Sequence, residues 1–467
     1  MAVTSFIAFM LIFALIGVAS MLRRQATTTD YLVAGRSVPA WLAGLSAVAT
    51  NNSGYMFIGM IGMTYSTGLS SVWLMIGWIA GDLMASLTIM KPLRQVSEMR
   101  NVHSFGGLLA DWHGHGFIHL RRITGVLTIL FLGAYAAAQL TAGSKALSVL
   151  FDWPLSTGAL IGGGLVLLYS YSGGIRASIW TDAAQSFVML GSMLILMMAA
   201  VQTAGTDASI PDALASVSPT YMQWFPGQGW SGALLFVGGW IAAGFGVAGQ
   251  PHIVIRYMAL DRVENLGRFR IYYYTWFTLF YAATIAVGLM ARLLLPDAGS
   301  FDAELALPLL SQQLLPAPLV GLMLAGLFAA TMSTADSLIL SCAASFTRDL
   351  LPAHKPGYAA TKLATVAVVI VALLLSLSGN QSVFALVLIA WGLLAAAFAP
   401  LLLVLALGWQ PSEPVALLAM GCGVVTLLLW RWSGLGSVVY ELLPALLVAF
   451  SVLVIDHRSA TVSCREP

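Results

Sequence analysis

The chain has 467 residues, of which 59% are hydrophobic and only 9% are charged, and its mean hydropathy is +0.88. Soluble globular domains carry about 25% charged residues, so this composition excludes a soluble protein. The formal net charge of +2 gives no reason to expect a nucleic acid or another polyanion as partner. The 3 cysteines are scattered and suit neither a disulfide framework nor a cysteine-based metal site.

Apolar segments long enough to cross a bilayer recur along the whole chain. A hydrocarbon core about 30 Å thick needs roughly 20 apolar residues per helix, and continuous apolar stretches do not fit the alternating pattern of a membrane β-barrel. We therefore predict an all-α polytopic membrane protein with thirteen transmembrane helices. The thirteen segments are 3–22, 38–66, 70–90, 121–150, 156–172, 180–203, 230–255, 271–294, 316–346, 361–378, 382–407, 413–430 and 435–455.

The basic residues predict the orientation of these helices. Lys and Arg are enriched in cytoplasmic loops. With odd-numbered loops inside, 18 of the 21 basic residues are cytoplasmic, and only Lys145, Arg292 and Arg431 lie outside. The first segment is a retained helix and not a signal peptide, because Arg23 and Arg24 follow its apolar run. We expect a plasma (inner) membrane protein with its N-terminus outside and its C-terminus in the cytoplasm.

Two segments carry residues that interrupt a helix. Residues 50–54 (TNNSG) place amides and hydroxyls in the middle of the second segment, where each unpaired polar group costs several kcal/mol. The seventh segment contains five glycines and a proline in residues 238–252, and both residue types weaken a helix. Buried polar contacts and close helix packing are the alternatives, but the run at 50–54 favours an unwound stretch that lines a cavity.

The spacing of the two interrupted segments predicts an internal repeat. They stand five segments apart, so two five-helix repeats, 38–203 and 230–407, would each open with a broken helix. Inverted-repeat transporters have this organisation, with substrate and ions bound at the bilayer midplane where the half-helices meet. Segment 3–22 would then be an extra N-terminal helix, and residues 413–455 would form two extra C-terminal helices.

The ninth segment predicts an ion site. Ser333, Ser337 and Ser341 recur at i+4 and form one stripe, with Thr334 and Asp336 beside it. Hydroxyls can simply bond to carbonyls of their own helix, but several of them beside a carboxylate supply the hard oxygen ligands that suit sodium. No histidine or cysteine cluster at this depth predicts a transition metal.

Three aspartates lie within predicted spans, where a charge usually indicates function. They are Asp82, Asp182 and Asp336. For Asp82 the alternative is a helix-end carboxylate near the membrane surface.

Several motifs resemble the sodium:solute symporter family, most closely its proline-transporter branch. They are residues 30–36 (DYLVAGR), 171–176 (YSGGIR) with 180–185 (WTDAAQ), 249–253 (GQPHI) with 256–259 (RYMA), and 332–337 (MSTADS). The resemblance implies a LeuT-type 5+5 inverted-repeat core with one extra helix before it and two after it.

The resemblance also implies the binding residues. The principal sodium site takes the carbonyls of Ala49, Asn52 and Ala330 and the hydroxyls of Ser333 and Thr334. A second ion, or the exit path of the first, involves Asp182, Asp336 and Ser337. The substrate lies between the broken helices, and the residues expected to contact it are Asn51, Ser53, Tyr55, Tyr135, Gln139, Trp240, Phe245 and Gln250.

The substrate pocket departs from the proline branch. Asn51 stands where that branch carries an aspartate, and Ala243 and Val247 stand where it carries a tryptophan and a tyrosine. Tyr135 matches a substrate-site tyrosine, whereas Tyr55 replaces a tryptophan of the family. We therefore expect proline, another amino acid or a small carboxylate as the substrate.

Together these features predict a sodium-coupled symporter that imports a small solute by alternating access. Coupling to protons through Asp182 or Asp336 is an alternative. A transporter-like membrane sensor is another, although only about twelve residues follow the last apolar segment. We expect no enzyme, because no catalytic triad, phosphate loop or metal cluster occurs at spanning depth, and no obligatory protein partner.

Overall fold

The computed structural model describes residues 1–23, 25–205, 209–226, 229–297, 299–351, 356–378, 383–437 and 439–463. Arg24, Cys464 and position 382, which the sequence analysis used, lie outside these ranges. In chain order the α-helices of the described residues are α1 Ala2–Ala19, α2 Thr28–Val33, α3 Ala40–Asn51, α4 Met60–Thr67, α5 Val72–Thr88, α6 Met90–Met99, α7 Phe105–Ala110, α8 Ile118–Phe151, α9 Leu155–Ala204, α10 Ser209–Val217, α11 Gly229–Phe245, α12 Pro251–Ala259, α13 Leu266–Leu294, α14 Ala306–Leu314, α15 Ala317–Ala344, α16 Tyr358–Leu377, α17 Val383–Ala406, α18 Glu413–Trp432 and α19 Leu442–Ser463.

The prediction of an all-α membrane protein is confirmed. Within the described residues, 10 helical stretches are long and apolar enough to cross a bilayer. One of them, α9, covers the two predicted segments 156–172 and 180–203, and its backbone leaves the helical region between them at Gly174 (φ 58°, ψ −141°). The count of thirteen spans stays a prediction.

The second predicted segment is broken in the structure. Helix α3 ends at Asn51, and Asn52 leaves the helical region with φ −92° and ψ 64°. The chain resumes as a π-helical turn, Tyr55–Gly59, and continues into α4. The polar run at 50–54 therefore marks an unwound stretch, as predicted.

The seventh predicted segment is broken as well. Helix α11 ends at Phe245 and gives way to a tight turn over Gly246–Gly249. Gln250 is extended, with φ −104° and ψ 97°, and Pro251 starts α12. Proline suits a first helical position because its missing N–H would have no partner there.

Helix α15 lies at the centre of the molecule. It packs against α1, α3, α8, α9, α12 and α16, and nearly all of its side chains from Val320 to Ala344 are buried. A helix surrounded on all sides can keep its polar groups only if they are paired within the protein. The hydroxyl stripe predicted on this helix therefore faces other helices and not lipid.

Main-chain hydrogen bonds join the segment before α3 to the segment after α12. The amide of Val38 donates to the carbonyl of Ala259 (3.2 Å), and the amide of Asp261 donates to the carbonyl of Val38 (2.9 Å). The buried Arg94 side chain donates from Nε to the carbonyl of Leu260 (2.9 Å). We call this connection the Val38–Leu260 bridge. The bridge links the start of α3, in the first broken segment, to the end of α12, in the second.

Candidate functional site

Oxygen atoms from α3 and α15 converge where α3 ends. The Ser333 hydroxyl lies 3.2 Å from the carbonyl oxygen of Ala49 and 3.1 Å from that of Ala330. The Thr334 hydroxyl lies 2.9 Å from the carbonyl oxygen of Thr50 and 3.1 Å from that of Ala330. All five residues are fully buried. We call these three carbonyls and two hydroxyls the hydroxyl cluster.

Four of the five residues predicted for the principal sodium site belong to this cluster, and the fifth lies beside it. Asn52 is at the break, and its side-chain amide donates to the carbonyl of Val48 (2.9 Å). The carbonyl of Thr50, which the prediction did not include, contacts Thr334 instead. Neutral oxygens of this kind are the ligands that hard cations prefer. A hydroxyl that donates a hydrogen bond can turn its lone pairs toward a cation by rotating about one bond.

A buried ion pair lies close to the hydroxyl cluster. Arg256 Nη2 of α12 lies 3.0 Å from Asp182 Oδ2 of α9, and neither side chain is exposed. Three serines complete the group: Ser46 donates to the same carboxylate oxygen (2.6 Å), Ser178 lies 2.8 Å from Arg256 Nη2, and Ser337 also contacts that nitrogen. We call these five residues the Arg256 cluster. The cluster joins α3, α9, α12 and α15, and its α3 member, Ser46, lies before the break.

The two clusters are one helical turn apart on α15. Ser337 donates to the carbonyl of Ser333 (2.6 Å) and contacts Asp336 Oδ1 (2.8 Å). The Thr50 hydroxyl lies 3.2 Å from Ser337 Oγ. In the described part of the structure, Asp182 Oδ1 and Asp336 Oδ2 are buried without a hydrogen-bond partner. The residues predicted for a second ion are therefore brought together.

The sequence analysis missed the position of Arg256. It counted this residue among the basic residues of a loop, whereas α12 extends to Ala259 and the Arg256 side chain is fully buried. The signal that could have placed it correctly is Pro251. A proline favours the start of a helix, so the residues after it continue the membrane segment for more than two further turns.

Polar groups of α8 contact the unwound residues of the first break, and a ring from α12 lies beside one of them. The Tyr135 hydroxyl of α8 donates to Ser53 Oγ (3.1 Å), and the amide of Gly54 donates to Gln139 Oε1 (2.9 Å). The ring of His252, from α12, stands edge-on to Tyr135 at 5.8 Å. We call Ser53, Gly54, Tyr135, Gln139 and His252 the break cluster. His252 was not among the predicted substrate residues.

Several buried polar atoms of this region have no partner within the described residues. They are Gln139 Nε2, both ring nitrogens of His252, and Gln250 Oε1. Buried polar atoms are almost always hydrogen-bonded in proteins, so a group of unpaired ones indicates the place where a polar ligand binds. All three side chains are fully buried.

Aromatic side chains connect the two breaks. The Tyr55 ring lies 5.9 Å from that of Trp78, which lies 5.0 Å from that of Trp391. Gln250 at the second break donates to the carbonyl of Trp391 (3.0 Å). Tyr55 and Gln250, both predicted to contact substrate, are therefore linked by a continuous series of contacts through Trp78 and Trp391.

Trp240 contacts a different part of the structure, and the backbone of Phe245 packs against α5. Trp240 stacks on Tyr440 at 5.2 Å, and the backbone nitrogen of Phe245 lies against Gly81 of α5. Neither residue contacts the break cluster in the hydrogen-bond and ring contacts of the described residues. Their role in substrate binding stays a prediction.

Asn51 belongs to a fourth polar group. Its side-chain amide donates to Asp82 Oδ2 (3.2 Å) and contacts the Tyr273 hydroxyl (2.6 Å). Tyr273 and Tyr274 donate to Asp82 at 2.7 and 2.8 Å. Asp82 is fully buried, six residues before the end of α5. Asp82 is therefore paired inside the protein, and its depth in the membrane stays a prediction.

The chain is similar to known transporters over most of its length. The chain is 29% identical to the high-affinity proline transporter PutP of Bacillus subtilis (strain 168), over 90% of each chain. It is 28% identical to the sodium/proline symporter of Escherichia coli (strain K12), over 91% of this chain and 88% of that one.

Solved structures show the fold. A sodium-coupled sialic acid symporter, in a substrate-bound outward-open state, superposes with a TM-score of 0.79 at 19% identity, covering 100% of this chain and 98% of the other. MhsT in complex with L-phenylalanine superposes with a TM-score of 0.59 at 15% identity, over 90% of this chain and 98% of the other. The fold is thus the predicted LeuT type. The family model of the sodium:solute symporters matches residues 31–423, and the chain belongs to the sodium:solute symporter family.

Proposed function

We propose that the protein is a sodium-coupled symporter that imports a small organic solute by alternating access. The observation that carries this proposal is the hydroxyl cluster, in which α15 hydroxyls meet α3 carbonyls at the point where α3 unwinds. A sodium ion bound there is held by both helices at once. Membership of the sodium:solute symporter family supports the same conclusion.

The position of the hydroxyl cluster explains how sodium and solute would be coupled. Thr50 of the hydroxyl cluster is only three residues from Ser53 of the break cluster, which contacts Tyr135. A sodium ion that fixes the end of α3 therefore also fixes the shape of the unwound residues. By linkage, the affinity for solute rises with sodium, and the affinity for sodium rises with solute by the same factor.

The break cluster is the proposed solute site. It offers unpaired amide and imidazole nitrogens of Gln139 and His252, with the aromatic ring of Tyr135 beside them. These groups suit a small solute that combines a hydrogen-bonding carboxylate or amide with an apolar body. Because relatives are named as proline transporters, we propose proline, with another amino acid or a small carboxylate as the remaining members of the same class.

The proposed topology gives sodium its driving force. We propose a plasma (inner) membrane location with the N-terminus outside and the C-terminus cytoplasmic, since cytoplasmic loops attract basic residues. An inward potential adds about 2.3 kcal/mol per charge per 100 mV, so one sodium ion per solute supports a gradient of roughly fiftyfold at that voltage.

The proposed repeats are residues 38–203 and 230–407, with additional helices at 3–22 and 413–455.

The test is sodium-dependent uptake by the purified protein in proteoliposomes. Labelled proline, other amino acids and small carboxylates are offered with and without an imposed sodium gradient, and in sodium-free buffer at several pH values. We expect uptake of one of these solutes only with sodium. Uptake that follows a proton gradient in the absence of sodium contradicts the proposal.

Variants of the hydroxyl cluster locate the sodium site. Loss of a bond between a buried polar group and a charge costs about 1.5–3 kcal/mol. We therefore expect Ser333→Ala and Thr334→Ala each to raise the half-saturating sodium concentration roughly tenfold or more. Thr347→Ala is the matched control, because this buried hydroxyl, just after α15, bonds to the carbonyl of Ala343 four residues earlier (2.7 Å). An unchanged sodium dependence in the double variant would show that the ion binds elsewhere.

A further inference from the structure

A polar groove lies beside α4 and shares no lining residue with the break cluster. It measures about 590 Å³, and its lining residues fall within 63–74 and 218–226, with Phe236 beside them. We call it the outer groove, because the proposed topology puts the loops after the second and sixth predicted segments outside the membrane. Ligand sites in proteins measure about 300–1,000 Å³, so the groove has room for a small organic molecule.

Tyr221 holds the two sides of the outer groove together. Its hydroxyl lies 3.1 Å from the carbonyl oxygen of Thr64 and 3.2 Å from that of Tyr65, near the end of α4. Its own carbonyl accepts from the amide of Leu69 (2.8 Å). Gly68 (φ 77°) permits this contact, because a Cβ atom there would overlap with the Tyr221 carbonyl oxygen. The groove is therefore built by specific contacts between its two sides.

The polar part of the lining is neutral. It consists of hydroxyl and amide side chains from both segments, among them Ser66, Thr67, Ser70, Ser71, Thr220 and Gln223. Among the described residues that line the groove, none is Asp, Glu, Lys, Arg or His. A charged ligand would lose water there without meeting an opposite charge, and an apolar ligand would leave the hydroxyls without partners. The lining therefore favours an uncharged ligand that forms hydrogen bonds.

The hydroxyls along α4 and the start of α5 offer mainly acceptor positions. Ser66, Thr67 and Ser71 each donate to a main-chain carbonyl three or four residues earlier, at 2.9, 2.8 and 2.7 Å. Their lone pairs remain able to accept a hydrogen bond from a ligand. A compound with several hydroxyls suits such a lining, because each of its hydroxyls can both donate and accept.

Aromatic rings supply the apolar part of the groove. Phe225 and Phe236 line it, and the Phe225 ring stacks on that of Trp73 at 5.1 Å with 23° between the planes. The flat face of a ring held in this way can pack against the carbon skeleton of a ligand. Trp73 Nε1 is buried without a partner among the described residues, and buried donors are almost always paired. This atom is a second indication of a polar ligand near Phe225.

We propose that the outer groove binds a small neutral polyhydroxy compound, a monosaccharide or a polyol, from the outer side of the membrane. Its hydroxyls would bond to the serine and threonine side chains, and its carbon skeleton would pack on the Phe225 ring. Binding there requires neither sodium nor the transported solute. The ligand would contact both α4, which follows the first break, and the segment 218–226, and so would hold these two parts of the chain together.

The test is saturation-transfer difference NMR with D-glucose and sorbitol as the probes, on the purified full-length protein in detergent without sodium. We expect a saturable signal from at least one of the two, and none from succinate, a charged probe of similar size. Ser70→Leu, which fills the groove, should abolish the signal. Phe225→Ala, which removes an aromatic face, should weaken binding by roughly two- to tenfold.

Two matched controls separate the groove from the surrounding surface. Ser216→Leu makes the same change on α10, at an exposed serine that bonds to the carbonyl of Ala213 (2.7 Å). Trp224→Ala removes a ring beside Phe225 that is 53% exposed and does not line the groove. Both controls should bind the probe as the native protein does.

Several results would overturn the proposal. They are the absence of a saturable signal from either probe, a signal that survives Ser70→Leu, equal losses in the controls, and a succinate signal that Ser70→Leu removes. If Ser70→Leu does not fold, the native protein and Phe225→Ala still decide, because unchanged binding in Phe225→Ala contradicts the proposed contact. Failure of sodium-dependent uptake would contradict the proposed function and leave this measurement unaffected.

Discussion

Replacement of Gly174 by alanine should destabilise the protein strongly. This glycine forms the kink within α9, with φ 58° and ψ −141°. Residues with a side chain avoid this region of backbone space, and holding one there costs about 1–3 kcal/mol. The two helical parts of α9 meet at this residue.

Steric overlap adds to that conformational cost. A Cβ atom at Gly174 would lie 2.6 Å from Cδ2 and 2.8 Å from Cγ of Tyr31, and also against the carbonyl oxygen of that residue. The Tyr31 ring cannot move aside easily, because its hydroxyl bonds to the carbonyl of Ser170 and to Thr365, both at 3.0 Å. Overpacking of this kind costs about 1–3 kcal/mol. The combined penalty is about 2–6 kcal/mol.

The assay is thermal denaturation of the detergent-solubilised protein, with the folded fraction measured by size-exclusion chromatography after heating. Gly164→Ala is the matched control, because Gly164 lies in the same helix and a Cβ atom there would meet nothing within 4 Å. Alanine at that site should stabilise by about 0.5–1 kcal/mol. If Gly174→Ala melts at the same temperature as Gly164→Ala, the kink does not require glycine and the reasoning is wrong.

Two further predictions concern a buried carboxylate and a buried histidine. Asp82→Ala should lower the free energy of unfolding by about 2–4 kcal/mol, because it leaves Asn51 and two tyrosines as buried donors without their acceptor. Asp82→Asn, which keeps one acceptor oxygen, should recover part of this loss in the same melting assay, and an unchanged melting temperature in Asp82→Ala contradicts the assignment. His103, in the loop before α7, has its pKa lowered to about 4 by burial and then by Arg36 and Arg348. The unfolded chain binds a proton at this histidine near pH 6.5 and the folded protein does not, so stability should fall as the pH is lowered from about 6.5 toward 4. His103→Gln should lose less of its melting temperature between pH 7 and pH 5 than the native protein, and equal losses would exclude His103 as the cause.

The two breaks and the hydroxyl stripe on α15 could be predicted because their signals are local. Residues 50–54 are polar in an apolar segment, and no helix retains such a run at the centre of a bilayer without partners. The hydroxyls on α15 recur at the helical period, which places them on one face whatever they contact. The partner of Ser333 at Ala49 is 284 positions away, and the resemblance to a family supplied that pairing.

The burial of Arg256 and Asp82 depends on contacts between distant residues. A basic residue beside a segment end is usually in a loop, and Arg256 is buried only because Asp182, 74 positions earlier, lies opposite it. Asp82 is paired with Asn51 and with two tyrosines 191 and 192 positions away. The local sequence pattern does not show which distant residues come together in the fold. Both residues could therefore be singled out from the sequence, but their burial and their partners could not be predicted.

The direction of an aromatic side chain was also outside the reach of the sequence. Trp240 lies in a broken segment, which made it a substrate candidate. In the structure its Cβ packs against Gly77 of α5, where an added methyl group would lie only 2.6 Å away. Gly77 leaves room for this close approach, and the indole stacks on Tyr440. The direction of the Trp240 side chain depends on how α5 and α11 pack together, and the sequence of one helix alone does not give it.

The Val38–Leu260 bridge makes the two broken helices mechanically dependent on each other. Two of its bonds are formed by main-chain atoms alone, so substitution of the side chains around them would leave these two bonds in place. A tilt of α3 must pull α12 with it, and α12 carries both His252 and Arg256. Opening of the transport path at this end would therefore be the movement of a coupled pair of half-helices, not of a single gate.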